Sequence, residues 1–283
     1  MRTLADYEYW RLITDTINDG EKLTTRNHEV FRQCVPRPSI FHSFPLVTLK
    51  KTAVKKALRE MEWFLSGDNK CPDELKDWWD GQLDPEGHYW NGYADQLRSS
   101  TYWDGGTTKS ETFDQIEYLI DGVKNSPNSR RLCISTWNTG EMATIAKTNK
   151  NPNTPSACHL SFVQFFVSGN RLNMWQYQRS GDLLLGVCHN WVQHYGLLTY
   201  LAHKTGLKVG WYQWCGGDVH VYNEPSHIEC AEAIINMKGE GFNAVPRLIY
   251  TPTSEEFLAK DFSVEWDGAD IPEPVTTIRP KLL

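Results

Sequence analysis

Basic residues are in short supply in this chain. Its 29 lysines and arginines are outnumbered by 35 aspartates and glutamates, and the formal net charge is −6. With no basic surplus to displace counterions over a wide surface, broad electrostatic binding of nucleic acid is excluded. A local group of arginines around one small phosphate remains compatible with that balance. Long apolar runs are also missing. None approaches the roughly 20 residues of a bilayer-spanning helix. The opening MRTLADYEYWRLI has acidic residues early and no apolar core, unlike a secretory signal. The expected setting is the cytoplasm or an equivalent reducing compartment, with no membrane partner. Cysteines number seven, an odd count, with no C-x-x-C pair. Neither a disulfide framework nor a metal site is expected. Internal repeats and low-complexity tracts are absent as well.

What is present is an ordinary globular composition, 40% hydrophobic and 23% charged over 283 residues. That length suffices for one large domain, and the expectation is a single domain over 1–283. Twelve tryptophans are many for such a chain. They suit core and subunit packing, or a site that stacks a planar ring, and composition leaves both open.

The hydrophobic spacing predicts a first helix over 4–18 and a second over roughly 52–65. In the second, Val54, Ala57, Leu58, Met61, Phe64 and Leu65 recur at helical intervals. Residues 21–34, with Arg26, read as polar and turn-like. SFPLVTLKK (43–51) reads as a short strand or extended lead-in. The stretch 66–93 is rich in Gly, Asp, Pro and aromatics, and 66–110 is expected to be a loop-rich lid subregion. TFDQIEYLIDGVKNSPNSRR (112–131) predicts an amphipathic helix ending in a turn that presents Arg130 and Arg131. LCISTWN (132–138) predicts a strand and 139–157 a polar loop. A hairpin over 159–167 and 171–178, a buried helix over 190–206 with Gly206 beyond its end, and a strand over 208–222 complete the pattern. Strands mixed with long helices indicate an α/β or α+β fold.

Several residues could carry chemistry, each with a plainer reading. Cys158 lies where a polar run gives way to an apolar one, and most such thiols are inert core. Glu60 borders the apolar face of its helix. It is either exposed there or held at a cavity rim, where desolvation raises its pKa. An Arg-Arg pair is commonly a solvated turn, and His220 and Tyr222 could belong to an ordinary strand. A protease-like triad of Cys158, His220 and Asp218 leaves the arginines and Asn190 unexplained.

Taken together, Cys158-His159, QYQRSGDLLLG (176–186), GGDVHVY (216–222), Arg130-Arg131 and the helix beginning at Asn190 resemble the thymidylate synthase superfamily, in order from about residue 4 to about residue 266. The resemblance implies a bent mixed sheet with flanking helices. It implies one-carbon transfer from 5,10-methylenetetrahydrofolate, as co-substrate, to C5 of dUMP. Cys158 would be the nucleophile at C6, with the Arg179 guanidinium favouring its thiolate. Arg26, Arg179 and Ser180 would bind phosphate, as would Arg130 and Arg131 contributed across an obligate homodimer. Asn190 would read uracil, and His220 with Tyr222 would hold the deoxyribose hydroxyl. Glu60, Tyr93 and Asp182 would serve proton and water transfer, with Trp79, Asp182 and Gly186 near folate. His159, next to the nucleophile, would point to the opposite face of an extended backbone and be structural.

The pattern departs from the synthases in places. Pro155-Ser156-Ala157 precedes the nucleophile instead of an adjacent proline, and one extra residue separates Cys158 from the next strand. Cys188-His189 replaces the usual Pro-Phe, and the chain ends TTIRPKLL, with Arg279 and Lys281, rather than in an apolar tail. A wetter site lets water capture the C5 methylene, so these departures lean towards a dUMP hydroxymethylase of the kind used by phages with modified DNA. The alternatives are a thymidylate synthase making dTMP and a non-catalytic nucleotide-binding homologue.

Overall fold

Helix α1 (Leu4–Asp19) begins at a capping box. The Thr3 hydroxyl accepts from the Asp6 N–H at 2.9 Å, and the Asp6 carboxylate accepts from the Thr3 N–H at 2.8 Å. Asp6 also accepts from the main-chain N–H groups of Thr48 at 2.5 Å and Leu49 at 3.1 Å. A side chain thereby takes N–H groups that a neighbouring strand would otherwise bind. Residues 44–50 run as a buried extended segment with no named strand, leading into helix α2 (Val54–Ser66). This computed structural model describes residues 2–25, 28–90, 92–103, 110–140, 158–237, 241–266 and 271–280.

Among those residues, strands β1 (Glu21–Thr25), β2 (His28–Cys34), β3 (Ser39–Phe41), β6 (Cys133–Ile134), β7 (Phe162–Ser168), β8 (Arg171–Asp182) and β9 (Lys208–Tyr222) form one sheet. Its order is β1-β2-β9-β8-β7-β6, with β3 added alongside β9. Only β8 and β9 pair in parallel, so the sheet is mixed. Strands β4 (Ser100–Trp103) and β5 (Ser110–Phe113) form one small ribbon, and β10 (Arg247–Tyr250) and β11 (Phe262–Glu265) another. The other α-helices among the described residues are α3 (Tyr93–Arg98), α4 (Gln115–Asn125), α5 (Cys188–Lys204) and α6 (Pro225–Ile235). No helix of the described residues is long and apolar enough to cross a membrane.

The sheet bends where the site forms. Along β8, Leu172, Met174, Gln176 and Gln178 are buried, and then Gly181. Along β9, Tyr212, Trp214 and Gly216 are buried, and then Gly217, Val219 and Val221. A period-two alternation that changes phase on two paired strands at one level means that each has an extra residue there. Beyond the bend, Ser180, Asp182, His220 and Tyr222 occupy the face that before it carries Trp175, Tyr177 and Trp211.

Helix α5 is buried along nearly its whole length and packs closely on α2. A Cβ added at Gly196 would lie 2.5 Å from Leu58 Cδ2, so only glycine allows that approach. Gly206 follows the helix with φ at 71°, as expected for its C′ position.

Three expectations need correction. Residues 21–25 and 28–34 are strands, not turns. Only Val30 of β2 is buried, and the ladder with β9 rather than apolar alternation supports this stretch. The helix predicted over 112–131 is shorter, because Asp114 caps it at the N–H groups of Ile116 and Glu117 and residues 112–113 belong to β5. The strand over 132–138 shrinks to Cys133–Ile134. Of the expected 139–157 loop, residues 141–157 lie outside the described residues. Within the 66–110 region, of which 91 and 104–109 lie outside the described residues, turns predominate from 67 to 90, and Leu75, Trp79 and Tyr89 pack into the main core.

Candidate active site

A cleft of about 1670 Å³ opens between the bent part of the sheet, the N-terminus of α5, helix α2 and residues 271–280. Cys158, Glu60, Trp79, Tyr93, Arg179, Ser180, Asp182, Gly186, Asn190, His220 and Tyr222 all line it. Residues from six separate stretches of chain therefore converge on one space. Arg130 and Arg131 sit apart from the lining, at the turn after α4, and Arg26 lies outside the described residues.

Cys158 is half-buried and anchored by its main chain. Its N–H donates to the Tyr93 hydroxyl at 2.9 Å, and its carbonyl accepts from the Arg179 N–H at 2.9 Å and the Ser161 hydroxyl at 2.9 Å. Its Sγ is 3.6 Å from the Tyr93 oxygen. Burial pushes the Tyr93 phenol well above its ordinary value, so it remains a protonated donor facing the sulfur. The Arg179 guanidinium packs over the Trp137 ring, its Cζ 5.3 Å from the centroid.

His159 does not follow an extended backbone, because Leu160 takes a positive φ of 43° directly after it. Its buried ring lies 4.5 Å from that of Tyr93, centroid to centroid, and it lines the cleft instead of pointing away. Burial alone brings this imidazole down to about 3, so it is neutral at physiological pH.

Glu60 is buried rather than exposed at the edge of its helix. Burial raises its pKa. The opposing hydrogen bonds come from the Trp79 indole, 2.5 Å from one oxygen, and from Gln193 at the other. A buried carboxylate whose pKa is raised holds its proton more tightly than a free one, which suits a group that both gives and takes protons. Asp182 caps the turn that follows β8, accepting from Leu184 N–H at 2.8 Å and Leu185 N–H at 2.9 Å. That cap aims residues 183–190 across the cleft floor. His220 Nδ1 lies 3.4 Å from Asp218, with its ring against Tyr222.

A family model for thymidylate synthase matches residues 7–267. The chain belongs to the thymidylate synthase family. Membership supports folate-dependent one-carbon transfer to dUMP, and the protein is a one-carbon transferase. The cleft suits a two-ligand reaction. It exceeds the roughly 300–1,000 Å³ typical of a pocket for one small molecule. Its lining combines the aromatic surface of Trp78, Trp79 and Tyr93 with the polar groups of Asn190, Ser180 and His220.

In this thymidylate synthase family member, inspection of the sequence assigns no role to Lys50, Gln178 or Gln193, while it singles out His189 and the C-terminal stretch as departures from the family pattern. Lys50 Nζ is 3.4 Å from Cys188 Sγ. Burial pushes the Cys188 thiol up, but the charges of His189 and Lys50 outweigh it and bring the thiol down to about 6. Cys188 is nevertheless fully buried and outside the cleft lining, so ionisation alone does not make it the nucleophile. His189 lines the cleft with its ring 4.8 Å from that of Trp78. Its nitrogens meet the Ala53 N–H at 3.2 Å and the Leu185 carbonyl at 2.8 Å. The C-terminal stretch is tied down by Val275 and Thr276, whose N–H groups both donate to the Leu49 carbonyl. Residues 271–274 and 276–280 line the cleft mouth. The only signal for these polar contributors was their closeness in sequence to motif residues.

Proposed function

We propose that the enzyme converts dUMP to 5-hydroxymethyl-dUMP, with methylenetetrahydrofolate as one-carbon donor. Cys158 Sγ adds to C6 of the uracil ring, which gives C5 carbanion character. The folate co-substrate supplies a one-carbon unit at the oxidation level of formaldehyde. After transfer to C5, departure of tetrahydrofolate and loss of the C5 proton leave an exocyclic methylene on the base. Glu60, between Trp79 and Gln193, holds the water and relays the protons. Water adds to the methylene as the Cys158–C6 bond breaks and the thiolate leaves. The net reaction consumes dUMP, methylenetetrahydrofolate and water, gives 5-hydroxymethyl-dUMP and tetrahydrofolate, and changes no oxidation state.

What supports the hydroxymethyl reading is that His189, Lys50 and Glu60 are among the polar residues lining the cleft. A polar lining accommodates water, where an apolar one would exclude it. One observation favours dTMP instead: residues 271–274 and 276–280 line the cleft, where a C-terminal stretch would limit solvent entry. Incubation with both substrates decides between them. A hydroxymethyl nucleotide by mass, without dihydrofolate absorbance, supports the proposal. A methyl nucleotide with stoichiometric dihydrofolate refutes it.

The reading includes a homodimer, with the whole chain acting as one domain in the cytoplasm. Phe162, Phe166, Tyr177 and Ile40 are exposed apolar residues on the sheet. The face carrying Tyr177 continues into the cleft beyond the bend. A second subunit on that face would cover the aromatic surface and bring its own Arg130 and Arg131 to the nucleotide phosphate.

A further inference from the structure

Lys50 and Cys188 form a buried pair behind the cleft wall. Lys50 is 7% exposed and Cys188 fully buried, and Lys50 Nζ lies 3.4 Å from Cys188 Sγ. Among the described residues no carboxylate lies within ion-pair distance of Lys50, so the sulfur is its counter-charge. Lys50 lines the cleft, and its main chain bridges to Thr276 of the C-terminal stretch. A small solute in the cleft therefore meets the pair at Lys50.

Cys188 differs from the other buried thiols. Burial pushes Cys71 and Cys230 up to about 11, so both stay protonated. At Cys188 burial also opposes ionisation, but His189 and Lys50 outweigh it and bring the thiol down to about 6. It is mostly thiolate at neutral pH, the form that peroxides oxidise. His189 is the other base beside the sulfur, with Nδ1 3.7 Å away. That nitrogen carries a proton, which it donates to the Leu185 carbonyl at 2.8 Å, so it has no lone pair to offer.

We propose that Cys188 and Lys50 are a peroxide-sensitive modification site, where a covalent S–N bond between them takes the Lys50 charge out of the cleft and slows turnover. The Cys188 thiolate attacks one oxygen of hydrogen peroxide, the O–O bond breaks, and a sulfenic acid forms with release of hydroxide. The hydroxide takes a proton from the Lys50 ammonium, leaving water and a neutral amine. With the thiolate gone, burial favours that neutral amine. Its lone pair attacks the sulfenyl sulfur, the S–O bond breaks, and the departing hydroxide leaves as water with a proton from the amine. Thiolate, ammonium and peroxide thus give a sulfenamide and water. Sulfur loses two electrons and the peroxide gains them. An added dithiol reverses the change, returning thiol and amine as it becomes a disulfide. None of this depends on which nucleotide the enzyme makes.

The test treats the full-length wild-type protein with rising doses of hydrogen peroxide, alkylates the remaining thiols and digests with a protease that does not cut at lysine. The peptides carrying Lys50 and Cys188 should appear joined, about 2 Da below the sum of their masses, and should separate in dithiothreitol. Turnover should fall in proportion to the joined fraction while Cys158 still alkylates. Cys188→Ser, measured against its own untreated activity, should withstand doses that inactivate the wild type. Unjoined peptides at inactivating doses, or Cys188 joined to Cys230, would overturn the site. A link that retains the peroxide oxygen, about 14 Da above the sum, would overturn the S–N bond. Equal sensitivity of Cys188→Ser and wild type would overturn the effect on turnover. If Cys188→Ser fails to fold, the wild type alone decides, because activity lost in step with Cys158 alkylation instead of the joined peptide has the same force.

Discussion

Replacing Trp79 by phenylalanine tests the ionisation of Glu60 directly. Phenylalanine keeps an aromatic ring among Trp63, Tyr89 and Tyr93, whose centroids lie 5.1, 4.6 and 6.4 Å from that of Trp79. It removes the indole N–H that lies 2.5 Å from Glu60 Oε1. A hydrogen bond to a charged group contributes about 1.5–3 kcal/mol, and one pKa unit corresponds to about 1.4 kcal/mol. Glu60, already raised by burial, should rise by about one to two units more. The sign for stability follows. The folded protein prefers protonated Glu60, so its ionisation contributes nothing below the unfolded value of 4.5 and lowers stability as pH climbs through the folded value. Trp79→Phe should therefore cost more in chemical unfolding at about pH 8 than at about pH 4. The limb of the pH–kcat profile that belongs to Glu60 should move to higher pH by the same one to two units, roughly. An equal loss of stability at both pH values, with an unmoved profile, would refute the idea that this indole holds charge on Glu60.

Cys158→Ala should abolish turnover yet bind dUMP in equilibrium dialysis, and full activity in that variant would dismiss Cys158 as nucleophile. Mixed dimers of Cys158→Ala with an Arg130→Ala/Arg131→Ala chain should recover activity that neither parent has. Absence of recovery in mixed dimers shown to form would mean that the arginines do not serve the neighbouring site. His189→Phe should move product from the hydroxymethyl to the methyl nucleotide, with dihydrofolate appearing in step. An unchanged product ratio would show that this residue does not govern the fate of the methylene.

Much of the fold was legible because apolar periodicity follows local geometry. Val54 to Leu65 spell out α2, and the run after Asn190 spells out most of α5. The strands around SGN at 168–170 and the long strand from 208 are equally plain. The β1–β2 hairpin was not, since these polar strands owe their ladder to β9, which follows about 180 residues later. Local pattern also could not show where α4 starts, because the cap at Asp114 and the ribbon before it depend on contacts outside the helix.

The site divides along the same line. The kinds of residue needed for nucleophilic attack and anion binding stand in the sequence in recognisable motifs, so Cys158, Arg179, Asn190 and His220 could be named from it. The sequence by itself determined which chemical groups exist and which of them are neighbours along the chain. Only the tertiary structure decided which groups face one another. It turned His159 into the cleft through the backbone bend at Leu160. It buried Glu60 where its proton is held more tightly, and it lined up Trp214, Gln178, Asn190 and Gln193 in a single hydrogen-bonding direction. Buried polar residues look the same in a sequence as exposed ones. Their meaning depends on partners brought close by folding, and on the loss of water that makes each unmatched donor or acceptor costly.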